Sequence, residues 1–96
     1  MPKGYLIANI RVNDAEKFKK FSGMAGPVIK KFGGCVLVRA SEAERREGTL
    51  TGNIMIIEFS DLNAAREFYL SQDYRAAKAL REECSDTDLM LVEGLS

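Results

Sequence analysis

Gly52-Asn53-Ile54-Met55-Ile56-Ile57-Glu58-Phe59 reads as a β-strand, rich in β-branched residues and followed by the turn-forming pair Ser60-Asp61. A strand with one wet face alternates apolar and polar residues. Here both parities are apolar until Glu58: Ile54 and Ile56 on one face, Met55, Ile57 and Phe59 on the other. Both faces are therefore expected to be covered. The helical material of a 96-residue chain covers one face of a sheet, so the other asks for a partner, most simply a second copy.

The length supports a single domain over residues 1–96, with one modest core. Lys+Arg 14 balance Asp+Glu 14, which removes the bulk attraction for nucleic acid or an anionic membrane that a basic chain would have. Met1-Pro2-Lys3-Gly4 leads into strand-like sequence without an apolar signal core, and no stretch approaches the ~20 apolar residues that span a bilayer. A cytoplasmic protein is expected. The chain has no histidine, hence neither the commonest general base nor the commonest transition-metal ligand. Cys35 and Cys84 form no metal or redox spacing and read as buried free thiols. No metal site is expected.

Outward from the Ile54 strand, the chain reads βαββαβ. Tyr5 to Val12 is a first strand, with Leu6, Ala8, Ile10 and Val12 on an apolar face and Tyr5, Ile7, Asn9 and Arg11 on a mixed one. Asn13-Asp14, with Glu16 as a capping-box partner, predicts a helix start. Phe18, Phe21, Ala25, Val28, Ile29 and Phe32 follow at helical spacing, with lysines on the opposite side. Gly23-Met24-Ala25-Gly26-Pro27 predicts a kink or break in that helix, either to open space for a ligand or to bend it over a twisted sheet. Gly33-Gly34 ends the helix, and Cys35 to Ala40 is a second strand, with Val36 and Val38 on one face and Leu37 and Arg39 on the other. The charged segment from Ser41 to Thr51 is an exposed hairpin connection. Ser60 or Asp61 caps a second helix (Leu62, Ala65, Phe68, Tyr69 inward), which restarts at Ser71-Gln72-Asp73 and continues with Tyr74, Ala77, Leu80 and Arg81. Asp86-Thr87-Asp88 reads as a turn into a last strand, Leu89 to Val92.

Two right-handed crossovers of this kind give a ferredoxin-like, four-stranded antiparallel sheet of order 4-1-3-2, with both helices on one face. Tyr5, Ile7, Asn9, Ile54, Ile56 and Glu58 occupy the other face. Of these, Tyr5, Ile7, Ile54 and Ile56 are the candidate contacts of a homodimer closed face to face into a shared barrel. Glu58 in such a face needs a partner, which Arg39 or Arg11 could supply.

Tyr5-Leu6-Ile7-Ala8, Phe32-Gly33-Gly34, Ile56-Ile57-Glu58-Phe59, Ser71-Gln72-Asp73-Tyr74, the run Ala76 to Arg81, and Asp88-Leu89 through Val92-Glu93-Gly94 together resemble the family filed as domain of unknown function 1330. The resemblance covers nearly the whole chain and implies the dimeric α+β barrel fold, with no assigned activity. The wider superfamily includes cofactor-free antibiotic-biosynthesis monooxygenases, muconolactone isomerase-like proteins and haem-dependent relatives. Several of these need His or Trp at the site, and this chain has neither, so no cofactor is expected.

A pocket is expected between sheet and helices, near Pro27 and Ser71. Its candidate polar groups are Tyr69, Tyr74 and Arg81 from the second helix, with Asn9, Arg39 and Glu58 from the strands. An arginine there could hold a carboxylate or enolate oxygen, a tyrosine could donate to a carbonyl, and Glu58 could accept a proton. Each also has a structural reading: Glu58 with Arg39 as an interface ion pair, Tyr74 as packing at a helix start, Arg81 as one half of a local ion pair. Two functions follow. One is a cofactor-independent oxygenase or isomerase acting on a small hydrophobic or aromatic molecule; the other is a homodimeric binding or regulatory module without turnover.

Overall fold

The computed structural model describes residues 2–40 and 42–95. Its elements run β1 (Gly4–Val12), α1 (Ala15–Lys31), β2 (Cys35–Ala40), β3 (Asn53–Phe59), α2 (Leu62–Leu70), α3 (Gln72–Cys84) and β4 (Ser85–Glu93). The strands form one antiparallel sheet of order β2-β3-β1-β4, the ferredoxin-like arrangement, with β3 and β1 at its centre. Leu6, Ala8, Ile10, Ile57 and Phe59 turn one face of the sheet toward the helices, where they meet Phe21, Ala25, Ile29, Ala65, Phe68 and Ala77. Phe68 joins the layers, its ring centroid 5.4 Å from that of Phe59 and 4.5 Å from that of Tyr74, the offset spacing aromatic pairs prefer.

Local chemistry sets the ends of the helices, with three departures from expectation. Asp14 alone caps α1, accepting from the Lys17 N–H at 3.1 Å. Lys17 therefore occupies the third helical position, and Glu16 is one residue too early to complete a capping box. The helix is continuous from Ala15 to Lys31 with Pro27 inside it, so the expected break does not occur. One missing hydrogen bond in 17 residues is offset by the packing of Phe21, Ala25 and Ile29 one turn apart. At its end Gly33 adopts φ +77°, and the N–H groups of Gly33 and Gly34 close on the carbonyls of Lys30 (3.0 Å) and Ile29 (2.8 Å). This double closure is a Schellman ending, which a side chain at Gly33 would strain.

The expected pair of helices is a set of three. Ser71, extended at ψ 150°, separates α2 from α3; its Oγ donates to the Phe68 carbonyl at 2.8 Å and accepts from the Tyr74 N–H at 3.2 Å, serving both ends. Asp86-Thr87-Asp88 is not a turn. β4 begins at Ser85 directly after α3, and Asp86 and Asp88 stand beside Arg11, which pairs with them at 3.6 and 2.9 Å.

The open face carries Tyr5, Ile7 and Asn9 on β1, Ile54, Ile56 and Glu58 on β3, and Met90 and Val92 on β4, as the register requires. Met90 and Val92 are among the most exposed large apolar side chains of the described residues. Glu58 here meets neither arginine proposed for it: it accepts from the Tyr5 hydroxyl at 3.0 Å. Cys35, expected to be buried, is exposed opposite Glu58; Cys84 is the buried thiol. The described part of the charged connection, residues 42–51, is exposed throughout, and its first residue, Ser41, lies outside the described residues.

One irregularity decides what the second strand presents. Val36 pairs with Ile57, but Val38 then pairs with Ile56 and Arg39 with Met55, so one residue has been inserted around Leu37. In a regular strand Arg39 would stand opposite Ile54, on the open face. The bulge moves it by one position and hence to the helix-facing side of the sheet.

Gly4 tests the close approach of β1 to the α2 cap. A Cβ there would lie 2.5 Å from the Leu62 Cα and closer still to the Asp61 carbonyl oxygen, both backbone atoms that cannot step aside. Gly4→Ala is expected to lower the unfolding free energy by about 1–3 kcal/mol, read as a shifted urea midpoint; an unchanged midpoint would show that this packing is looser than described.

Candidate functional site

Three spaces meet between α1 and the β2 side of the sheet. The innermost is a cavity under the helices, walled by Leu6, Ile10, Phe21, Ile29, Ile57 and Phe68 among others, into which Ser22, Arg39, Tyr74 and Arg81 bring the polar groups. Its volume is about 30 Å³ measured to the centre of a water-sized sphere, and about 460 Å³ when all the space between its lining atoms and its mouth is included. The first figure is room for about two waters, so a larger guest needs the mouth as well or a shift of side chains. Outside it, one groove runs along Gly26, Pro27, Lys30, Gly34, Cys35 and Val36, and another lies between Phe18 and Ser22 of α1 and Asn53 to Met55 of β3. Arg39 lines all three spaces.

The polar end of the cavity belongs to α3. Its buried stripe is Tyr74, Ala77, Arg81 and Cys84, a helical repeat in which a guanidinium occupies a position that core packing would give to an apolar residue. Arg81 is only 5% exposed. Its Nη1 donates to the Tyr74 hydroxyl at 3.2 Å, its Nε has no partner, and no carboxylate pairs with it among the described residues. A buried charge without a counter-ion is costly, and one neutral hydroxyl offsets little of that cost. The pair is therefore primed to receive an anionic oxygen, which would accept from the Arg81 donors and from the Tyr74 O–H. Burial pushes the Tyr74 hydroxyl above its ordinary value and the Arg81 charge pulls it back only in part, so Tyr74 is a donor at neutral pH. Burial likewise raises the Cys84 thiol, and no nucleophile is offered there.

Of the six residues picked out from the sequence, the structure brings Arg39, Tyr74 and Arg81 to the cavity. Asn9 and Glu58 lie on the opposite face of the sheet. Asn9 is buried there and donates from Nδ2 to the Thr51 carbonyl, while its Oδ1 has no partner. Tyr69 stays outside, its ring 6.1 Å from that of Tyr74 and tilted 47° to it, with the Lys78 ammonium 4.6 Å above its own. Ser22 was missed. Its signal was small side chains one turn apart, Ser22 and Gly26, flanking the apolar stripe of α1 and leaving the space that the cavity uses. Neither Asp nor Glu lines any of the three spaces, and among the described residues no cluster of three potential metal ligands occurs. No helix among the described residues is long and apolar enough to cross a membrane.

Comparison with known proteins gives a consistent fold and little more. The family model described as Domain of unknown function (DUF1330) matches residues 3–95. No curated protein sequence matches the chain. Among solved structures, a protein of unknown function, RPA0582 from Rhodopseudomonas palustris, superposes with a TM-score of 0.79 at 19% identity, over 99% of this chain and 84% of that one. SnoaB, a cofactor-independent oxygenase from Streptomyces nogalater, superposes at 0.72 with 10% identity, over 100% and 96%. A dimeric protein of unknown function with a ferredoxin-like fold from Bacteroides fragilis gives 0.62 at 14% identity, over 95% of each chain. At such identities the likeness is one of fold.

The raised Tyr74 hydroxyl has a consequence for stability. Above the ordinary tyrosine pKa of about 10, the unfolded chain loses this proton while the folded one keeps it, so the stabilisation present below that pH is lost as pH rises toward the folded value. Tyr74→Phe is expected to flatten the decline of unfolding free energy with pH above about 10, measured by urea denaturation. Tyr5, raised by its hydrogen bond to Glu58, and Cys84, raised by burial, contribute to the slope that remains. Equal slopes in wild type and Tyr74→Phe would contradict the burial of the hydroxyl.

Proposed function

The chain belongs to the family described as domain of unknown function 1330, and on that premise we propose that it is a homodimer that binds a small, mainly apolar or aromatic molecule through an anionic oxygen. The observation that carries the reading is Arg81: a buried guanidinium, hydrogen-bonded among the described residues only to Tyr74, at the polar end of an apolar cavity. A carboxylate, phenolate or enolate supplies what that group lacks. The apolar walls accept the rest of the molecule by excluding water from it.

The activity that fits this arrangement is oxygenation or isomerisation without a cofactor. The lining holds no carboxylate that would serve as a general base, so the ligand enters already ionised and Arg81 and Tyr74 stabilise its charge. An ionised, electron-rich ring or enolate carries on its own carbon the electrons for reaction with dioxygen, or the delocalised charge that a double-bond shift requires. The fold shared with the cofactor-independent oxygenase SnoaB supports this choice of reaction class. A second reading, binding without turnover, is favoured by the narrowness of the inner cavity. Dimerisation rests on the open face: Ile7, Ile54, Ile56, Met90 and Val92 call for a covering surface, and the Bacteroides fragilis relative in fold is dimeric.

Two experiments test this. Titration of 2-naphthoate at neutral pH, and of 1-naphthol at an alkaline pH where its hydroxyl is ionised, followed by ligand fluorescence, is expected to show saturable binding that Arg81→Ala weakens about tenfold or more and Tyr74→Phe weakens less, with circular dichroism unchanged. Oxygen uptake by the 1-naphthol complex would favour turnover, binding without uptake would favour the module, and equal affinity in wild type and Arg81→Ala would remove the site. For assembly, native mass spectrometry of the wild type is expected to show a dimer, and Ile56→Arg a monomer, since a charge at the centre of an apolar face opposes its closure. A soluble, unchanged Ile56→Arg dimer would overturn the face-to-face arrangement.

A further inference from the structure

Arg39 holds the clearest unexplained position in the molecule. The bulge at Leu37 carries it from the open face to the mouth of the cavity, where all three spaces converge. It is exposed, and no carboxylate pairs with it among the described residues. The charged side chains along the whole path are Arg81 at the buried end, Arg39 at the mouth and Lys30 in the outer groove, all cationic, in a chain whose acidic and basic residues are equal in number. Apart from these arginines, Ser22 and Tyr74, the cavity lining is apolar. A path lined by one sign of charge concentrates the opposite one.

Resting on the reading of the cavity as an anion site, we infer that its ligand is a double-ended anion. A flat apolar body bears one anionic oxygen held by Arg81 and Tyr74 inside, and a second carboxylate held by Arg39 at the mouth. The planar fork of each guanidinium suits a carboxylate, and the apolar body meets the apolar side chains that make up most of the remaining lining. The two ends differ in weight. Arg81 is desolvated and provides most of the attraction, whereas Arg39 is solvated and selects among ligands that already fit. Arg39 is thus a specificity-determining residue, and Lys30 in the groove beyond adds attraction at longer range without fixing an orientation. The competing account of Arg39 is that its aliphatic stem covers apolar wall while its head stays in water. The two accounts part on whether the charge itself selects.

Binding of three pairs of aromatic acids separates them: benzoate and terephthalate, 2-naphthoate and naphthalene-2,6-dicarboxylate, biphenyl-4-carboxylate and biphenyl-4,4′-dicarboxylate, each titrated by calorimetry into wild type, Arg39→Gln and Arg81→Gln. At least one diacid is expected to bind wild type about fivefold tighter than its monoacid, the gain of an exposed charge pair. Arg39→Gln, which keeps most of the stem, should remove that preference and leave the monoacid within about twofold. Arg81→Gln should weaken both members of the pair. Monoacid binding that depends on Arg81 with no diacid preference in any pair would overturn the double-ended ligand and leave the anion site standing, as would a preference that survives Arg39→Gln. No binding of any of the six acids would overturn both.

Discussion

A sheet has two faces, and three short helices can cover one of them. That constraint runs through every part of this molecule. It assigns Leu6, Ala8, Ile10, Ile57 and Phe59 to the core, because the alternate residues of β1 and β3 that face the helices must all be apolar. It leaves Ile7, Ile56, Met90 and Val92 on a face that the chain itself does not cover. The same division makes each position on a strand an alternative: a side chain belongs to the helix side, where a ligand can be enclosed, or to the open side, where a partner can be. A shift of one residue in register exchanges the two.

Arg39 shows what such an exchange does. The bulge at Leu37 interrupts one ladder and transfers a charged residue from the open face to the mouth of the cavity. Glu58 remains on the open face, held by Tyr5, on the other side of the sheet from Arg39 and from the cavity. No strand carboxylate therefore reaches Arg81 among the described residues. With Tyr74 as the hydrogen-bonding neighbour of its guanidinium among the described residues, it keeps a buried Nε without a partner, which is the observation on which the proposed anion site rests.

The helices hold this arrangement through local devices that do not involve the site. Asp14, Asp61 and Ser71 cap α1, α2 and α3 from their side chains, and Gly33 ends α1 in a conformation that few other residues adopt. Ser71 has a further effect: by ending α2 and starting α3 within one residue, it fixes the direction along which Tyr74 and Arg81, two turns apart, point together toward the cavity. Exposed ion pairs tie α1 to α3 at both ends, Lys17 with Glu83 and Lys31 with Asp73, although pairs of this exposure add little energy.

The strand order followed from the handedness of the crossovers, and the inward faces of β1 and β3 and the helix starts near Asp14, Asp61 and Ser71 followed from residue type and spacing, which act within a few residues; the end of α3, running straight into β4, did not. The placement of Tyr74 and Arg81 on one inward stripe with Ala77 was legible for the same reason, since helical spacing sets it. Continuity of α1 through Pro27 was not legible, since it depends on packing that outweighs one lost hydrogen bond. Nor was the separation of Arg39 from Glu58. Both sit at alternate positions of well-formed strands, and only the pairing of β2 with β3 shows that a residue has been inserted between Val36 and Val38. Local sequence therefore determined the fold and the helical stripe that carries Tyr74 and Arg81. Tertiary structure decided which face each strand charge serves, because that depends on register between strands distant in the chain, a quantity no single strand contains.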